Sequence, residues 1–217
     1  QEGLMDNISI IIRNKNEAEY IGFALQSCIE FFKNPEIIVI NNNSTDDSMD
    51  VVQNFNNRTK IITKNIDEYR PGQSINTGVQ LCTNEYVLVM SGHTQIINLN
   101  FKTIKDQLNK HKAVFGKQIP VLRGKKITPG YIWSNFTDKM EVNKFSEIEN
   151  RHFLHNAFCF YKKDTLIKFP MPEEYLGKED RYWAKEIINK GHSYLYDPNQ
   201  VVYHFWTKNG ATWRGLV

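Results

Sequence analysis

The chain has 217 residues, 41% of them hydrophobic, which is enough for one sizeable core and about one domain. A formal net charge of +3 is too small to point to nucleic acid, and no apolar run reaches the roughly 18 residues that span a bilayer. Cys28, Cys82 and Cys159 are odd in number and far apart, which favours buried free thiols over disulfides or a metal cluster and suggests a reducing compartment.

In chain order, Ile8 to Ile12 (ISIII) is an apolar, β-branched run that reads as a buried strand, ending in the polar cluster Arg13-Asn14-Lys15-Asn16-Glu17. A helix follows from about residue 17 to 32, with Ile21, Leu25, Cys28 and Ile29 on one face. Glu36 to Ile40 is a second strand, leading into Asn41-Asn42-Asn43-Ser44-Thr45, where Ser44 or Thr45 can cap a helix carrying Met49, Val52 and Phe55. Lys60 to Thr63 is a short third strand. This β-α-β-α-β order with short connections predicts an α/β fold with a mostly parallel central sheet flanked by helices.

Residues 69 to 73 read as a turn and 74 to 81 as a helix. The next strand, in the run EYVLVMSGH (residues 85 to 93), is continuously apolar from Val87 to Met90 and breaks into Ser91-Gly92-His93. In open α/β sheets the ligand crevice lies beyond the carboxyl ends of strands, where this hydroxyl and imidazole would sit. A helix is expected over about 100 to 110 and a strand at 113 to 116. Residues 123 to 149 lack a clear period and carry Tyr131, Trp133 and Phe136, so they are expected to be mobile or substrate-facing. Strands at 158 to 161, 193 to 196 and 201 to 205, and a helix over 179 to 190 closed by Gly191, complete a single domain without repeats or linkers.

Several strand ends, taken together, resemble the family 2 glycosyltransferases, inverting enzymes with the Rossmann-like GT-A fold. The stretches are ISIIIRNKNE, IVINNNSTDDS, YRPGQSINTGVQLCTNEYVLVMSGH, FGKQIP, HNAFCFYKKD, KEDRYWAKEI and VVYHFW, in the family's order and over residues 8 to 206. The likeness is greatest to a subset with Ser-Ala-His in place of the metal-binding Asp-x-Asp motif. Here Ser91-Gly92-His93 occupies that place, and Asn41 and Asn42 stand where a nucleotide-binding acid is usual. An amide both donates and accepts where a carboxylate only accepts, so the base is left open: UDP- or dTDP-sugars are favoured, and CDP- or CMP-sugars are compatible.

The resemblance implies transfer of a sugar from a nucleotide donor to a hydroxyl of a glycan or lipid-linked acceptor, as in surface polysaccharide synthesis. It implies Asp180 as general base with Glu179 assisting, and His93 and His204 as ligands of a divalent cation. Imidazole suits Mn²⁺ better than Mg²⁺, while metal-independent transfer with Arg70, Arg13 or Lys178 neutralising the phosphates stays open. Arg13, Asn14, Glu17, Asn41, Asn42, Arg70, Asn76 and Ser91 would frame the nucleotide. His155, Asn156 and Trp183 would face sugar or acceptor, Trp183 being equally plausible as core, and Trp133, Trp206 and Trp213 are candidates for an acceptor rim. On this reading residues 1–7 are an extension or cloning remnant. A nucleotide-binding half covers about 8–95 and an acceptor half about 96–217, with the closing residues equally compatible with a cut inside a longer protein. Nothing at the start resembles a signal peptide, which suggests a cytoplasmic protein, with docking at the inner face of an anionic membrane permitted by the charge.

Other classes fit less well. A dinucleotide-dependent oxidoreductase needs G-x-G-x-x-G after the first strand, where this chain has Arg13-Asn14-Lys15-Asn16-Glu17. A zinc hydrolase on His93, His155 and His204 lacks a compact ligand motif. The stronger rival is a nucleotide-sugar or glycan-binding module without catalysis.

Overall fold

The computed structural model describes residues 5–123, 125–126, 131–208 and 210. Its elements are β1 (Ile8–Asn14), α1 (Ile21–Phe31), β2 (Glu36–Asn42), α2 (Ser48–Asn54), β3 (Lys60–Ile66), α3 (Pro71–Leu81), β4 (Tyr86–Ser91), β5 (Thr94–Asn98), α4 (Phe101–Leu108) and β6 (Ala113–Leu122). Then come the short strands β7 (Lys125–Lys126), β8 (Glu141–Val142), β9 (Phe145–Ser146) and β10 (Arg151–His152), with a 3-10 turn at Tyr131–Asn135. β11 (Phe158–Lys162), α5 (Lys163–Lys168), α6 (Glu179–Asn189) and β12 (Leu195–Phe205) close the chain.

One sheet in the order β3-β2-β1-β4-β11-β6-β12-β5 runs through the molecule. β1, β2, β3 and β4 pair in parallel, β6 pairs with β12 in parallel, and β11 is antiparallel to both β4 and β6. All the parallel strands therefore end on one rim, where β11 begins. Side chains alternate between the two faces of each strand. Ile11, Val87 and Val89 pack with α3, α5 and α6 on one side, while Ile10, Ile12, Leu88 and Met90 pack with α1, α2 and α4 on the other. Burial on both faces explains the unbroken apolar runs at 8–12 and 87–90. Cys28, Cys82 and Cys159 are buried and free.

Four local expectations are corrected. The helix expected from residue 74 starts at Pro71, whose fixed φ and missing N–H suit a first helical position. Strands expected at 193–196 and 201–205 are one strand, β12, whose register shifts between Asp197 and Val201. Asp197 stabilises that irregularity by accepting from Asn199 N at 3.0 Å and Gln200 Nε2 at 3.0 Å, so Pro198 is accommodated without ending the strand. β5 and α5 were not foreseen, being too short for a periodic signal. Trp133 and Phe136, read as exposed or as an acceptor rim, are 1% and 5% exposed and belong to the core with Phe153 and Tyr196.

Candidate active site

A cleft of about 530 Å³ opens on the rim where the parallel strands end. Its wall includes Arg13, Asn14, Glu17, Asn42, Ser91, His93, His155, Asn156, Glu179 and Asp180, drawn from residues far apart in sequence. The volume matches sites that hold a nucleotide-sized ligand.

The β1 end supplies three polar atoms that are buried yet have no hydrogen-bond partner among the described residues: Arg13 Nε, Asn14 Oδ1 and Glu17 Oε2. Buried polar groups are almost always satisfied, so three such atoms on one wall are what a ligand-binding surface leaves open. Arg13 is otherwise held by Nη2, which donates to the Asn156 carbonyl at 2.8 Å and lies 3.5 Å from Ser91 Oγ. Burial opposes its charge, but Tyr69, Glu179 and Asp180 outweigh burial, and its pKa is raised. Arg13 is therefore a fixed cation.

Glu179 and Asp180 open α6, where the helix dipole favours negative charge. Both are 4% exposed. Asp180 Oδ2 accepts from Asn156 N at 2.8 Å, and Oδ1 accepts from Arg181 N and Nη1, each at 2.9 Å. Burial alone would raise its pKa; Arg181 leads the opposing group, with His155 and these hydrogen bonds, and the pKa is lowered. Glu179 goes the other way: burial and then the Asp180 charge push its pKa up to about 7, against Arg13 and the Asn156 amide. The two carboxyls thus occupy different protonation regimes. Asn156 sets this arrangement. Its Nδ2 donates to Glu179 Oε1 at 3.2 Å and its Oδ1 accepts from the Tyr161 hydroxyl, so its amide is engaged within the protein and its role is to hold the acid pair.

His93 sits in the turn between β4 and β5, and His204 lies near the end of β12, so the rings meet across the β5–β12 edge with centroids 4.7 Å apart. His93 Nδ1 is 2.9 Å from Glu17 Oε1, and His204 Nδ1 is 2.8 Å from Gln118 Oε1. Gly92 allows this turn to close: a Cβ there would lie 2.9 Å from the Arg13 carbonyl oxygen and 3.2 Å from Glu17 Cγ.

Other expected contacts lie away from the cleft. Trp183 is fully buried and its indole N–H donates to the Phe169 carbonyl at 2.7 Å, so it is core and cannot stack on a sugar. Asn41 lies behind the wall: its Oδ1 accepts from Asn14 at 3.1 Å and Ser44 at 2.6 Å, and its Nδ2 donates to Asn65 at 3.0 Å. Asn76 clamps the loop before α6, bonding the Met171 main chain at 2.8 and 2.9 Å and Glu173 at 3.1 Å. Arg70 precedes α3 and pairs with Glu68 at 3.3 Å, and the neighbouring Tyr69 lines the cleft instead. Trp206 packs at the core margin, and Trp213 lies outside the described residues. Arg181, Gln118 and Tyr161 were missed because each acts through another side chain. Gln118 stood in a stretch noted only for likeness, and Tyr161 in a segment read as a strand.

The family model for glycosyl transferase family 2 matches residues 9–169, most of the chain. The chain belongs to glycosyl transferase family 2. It is 27% identical over 190 residues to the GalNAc(5)-diNAcBac-PP-undecaprenol beta-1,3-glucosyltransferase of Campylobacter jejuni, covering 83% of this chain and 59% of that protein. Among solved structures it is similar to S. aureus TarS 1-349 in complex with UDP-GlcNAc, with TM-score 0.68, 18% identity, and coverage of 97% of this chain and 61% of that one. The mannosyltransferase PcManGT of Pyrobaculum calidifontis, in complex with GDP-Man and Mn²⁺, gives TM-score 0.68 at 19% identity, covering 98% and 61%. These likenesses establish the GT-A fold. The chain spans about 60% of the length of these relatives.

Since a structural neighbour with the same fold is solved with Mn²⁺, the histidine pair can be tested as a cation site. Each ring has its Nδ1 tied to an oxygen, the arrangement that directs Nε2 toward a metal. Burial pushes the His204 pKa well below its ordinary value, keeping the ring neutral as a ligand must be. Among the described residues no group of three or more ligating side chains is present, so a cation on these two rings would need further ligands from outside the protein.

Proposed function

We propose that this chain is an inverting glycosyltransferase that moves a sugar from a nucleotide diphosphate donor, UDP- or dTDP-linked, to a hydroxyl of a glycan or lipid-linked acceptor. The observation that carries the reading is the juxtaposition, in one cleft, of an unsatisfied nucleotide-sized wall (Arg13, Asn14, Glu17) and a buried carboxyl pair in opposite protonation regimes. A binding module has no use for the second.

Arg13 faces the diphosphate as a fixed charge, and Asn14, Asn42 and Glu17 offer acceptors and donors to base and ribose. The acceptor oxygen attacks the anomeric carbon, the bond from that carbon to the phosphate oxygen breaks, and its electron pair leaves with the diphosphate. The acceptor's proton passes to Asp180, ionised at neutral pH, with Glu179 beside it. A divalent cation on His93 and His204 would neutralise charge developing on the leaving phosphate. No helix among the described residues is long and apolar enough to cross a membrane.

A second reading makes Glu179 the base, favoured by its pKa of about 7, closer to working pH than that of Asp180. The pH–rate profile separates them: loss of rate on acidification near pH 7 marks Glu179, and a limb below the ordinary carboxylate range marks Asp180. The function itself is tested by thermal shifts with UDP, dTDP, GDP, CDP and CMP, with and without Mn²⁺, followed by transfer assays with Asp180→Asn. One diphosphate should stabilise the wild type, and Asp180→Asn should retain that shift while losing transfer by at least about a hundredfold. No shift with any nucleotide would end the proposal.

A further inference from the structure

Gln118, on β6, is 1% exposed and touches two histidines at once. Its Nε2 is 3.0 Å from His155 Nδ1 and its Oε1 is 2.8 Å from His204 Nδ1. An amide can be turned end for end, so the assignment needs an anchor that cannot be turned. That anchor is the backbone N–H of Ala157, which points at His155 Nδ1 across 3.2 Å. A backbone N–H only donates, so His155 Nδ1 must accept, and the proton of the neutral ring sits on Nε2. The Gln118 group facing the same Nδ1 must then be the NH₂. Its carbonyl oxygen faces His204, whose Nδ1 must donate, leaving the lone pair of His204 on Nε2.

We propose that Gln118 is a positioning residue that carries a tautomer instruction from the Ala157 backbone through His155 to His204, fixing the two rings in opposite forms. The consequence is that His204 presents Nε2 as a ligand nitrogen while His155, on the cleft wall, presents Nε2–H as a donor. The wrong His204 tautomer would turn an N–H toward the ion. This consequence rests on the cation reading above; the tautomers themselves do not. A ring whose Nδ1 accepts from a backbone N–H is neutral, so the instruction concerns placement of a proton and not its loss.

Long-range ¹H–¹⁵N spectra of the full chain, labelled at histidine and free of metal, read the tautomers directly. The wild type should show His204 protonated on Nδ1 and His155 on Nε2. Gln118→Leu should lose the single-tautomer signature of His204 while His155 keeps its own, since Ala157 still donates. Gln118→Glu retains an acceptor for His204 and should retain its signature, which guards against a folding defect in the leucine variant. Identical tautomers in the wild type, or an unaltered His204 in Gln118→Leu, would overturn the proposal. Mn²⁺ added together with UDP or dTDP should broaden the His93 and His204 signals, and in Gln118→Leu its affinity should fall about ten- to hundredfold. Correct tautomers with no broadening would leave the Gln118 instruction standing and remove the cation reading.

Discussion

Arg181 Nη1 lies 2.9 Å from Asp180 Oδ1, with both side chains 5% exposed, and Arg181 Nη2 lies 3.0 Å from Glu149. One buried guanidinium thus compensates two buried carboxylates. Replacing it by Met removes the side-chain cation from Asp180 and leaves Glu149 with Lys178 at 3.6 Å, and should cost about 3–5 kcal/mol of stability, measured by urea denaturation at pH 7.5. The acid limb of the pH–rate profile should move upward, because Arg181 leads the interactions that lower the Asp180 pKa.

Glu179 gives the protein a pH signature of opposite sign. Its pKa rises from 4.5 to about 7 on folding. Between those values the folded chain keeps a proton that the unfolded chain has released, so stability contributed by the protonated carboxyl is full below pH 4.5 and is lost as pH rises through 7. The limiting loss is about 3 kcal/mol. Asp180 acts in reverse, its contribution being present above the ordinary carboxylate pKa and lost below it. Glu179→Gln should abolish the decline between pH 5 and pH 8 in paired denaturation curves. An unchanged slope would assign the decline to other groups.

The carboxylate of Glu17 orients His93 through a 2.9 Å contact to Nδ1. Glu17→Leu removes that restraint and should weaken Mn²⁺ binding about ten- to hundredfold in calorimetry, with the shape of the fold retained by circular dichroism.

Gly72 is held by sterics. A Cβ there would lie 2.0 Å from the Pro172 carbonyl oxygen, an immovable backbone atom. At Gly78 the nearest atoms belong to the Ile11 side chain, at 2.8 Å, which can rotate. Helix propensity alone would make either Gly→Ala change favourable by about 1 kcal/mol. Gly72→Ala should instead destabilise the fold and displace the loop that leads to Glu179, lowering the transfer rate, while Gly78→Ala should be the milder of the two in thermal denaturation.

Much of this was legible from sequence. The runs ISIII, EIIVI and VLVM identified strands because a strand buried on both faces must be apolar throughout, and the polar residues after them marked the rim of the cleft. Asn76 and Trp183 show where such reading stops. Both stand in the stretches that resemble the family, yet Asn76 clamps the loop at Met171 and Trp183 fills the core. Sequence spacing gives the face of a helix but not what lies opposite it.

The chain alone carried its α/β architecture in local patterning, and its resemblance to the family is what singled out Glu179, Asp180, His93 and His204. Only the tertiary structure decided how each group is tuned. Burial raises Glu179, Arg181 lowers Asp180, and Gln118 joins two histidines through bonds spanning 37 and 86 positions of sequence. Protonation and tautomer depend on what surrounds a side chain within a few ångströms, and those neighbours are assembled by the sheet rather than by adjacency in the chain.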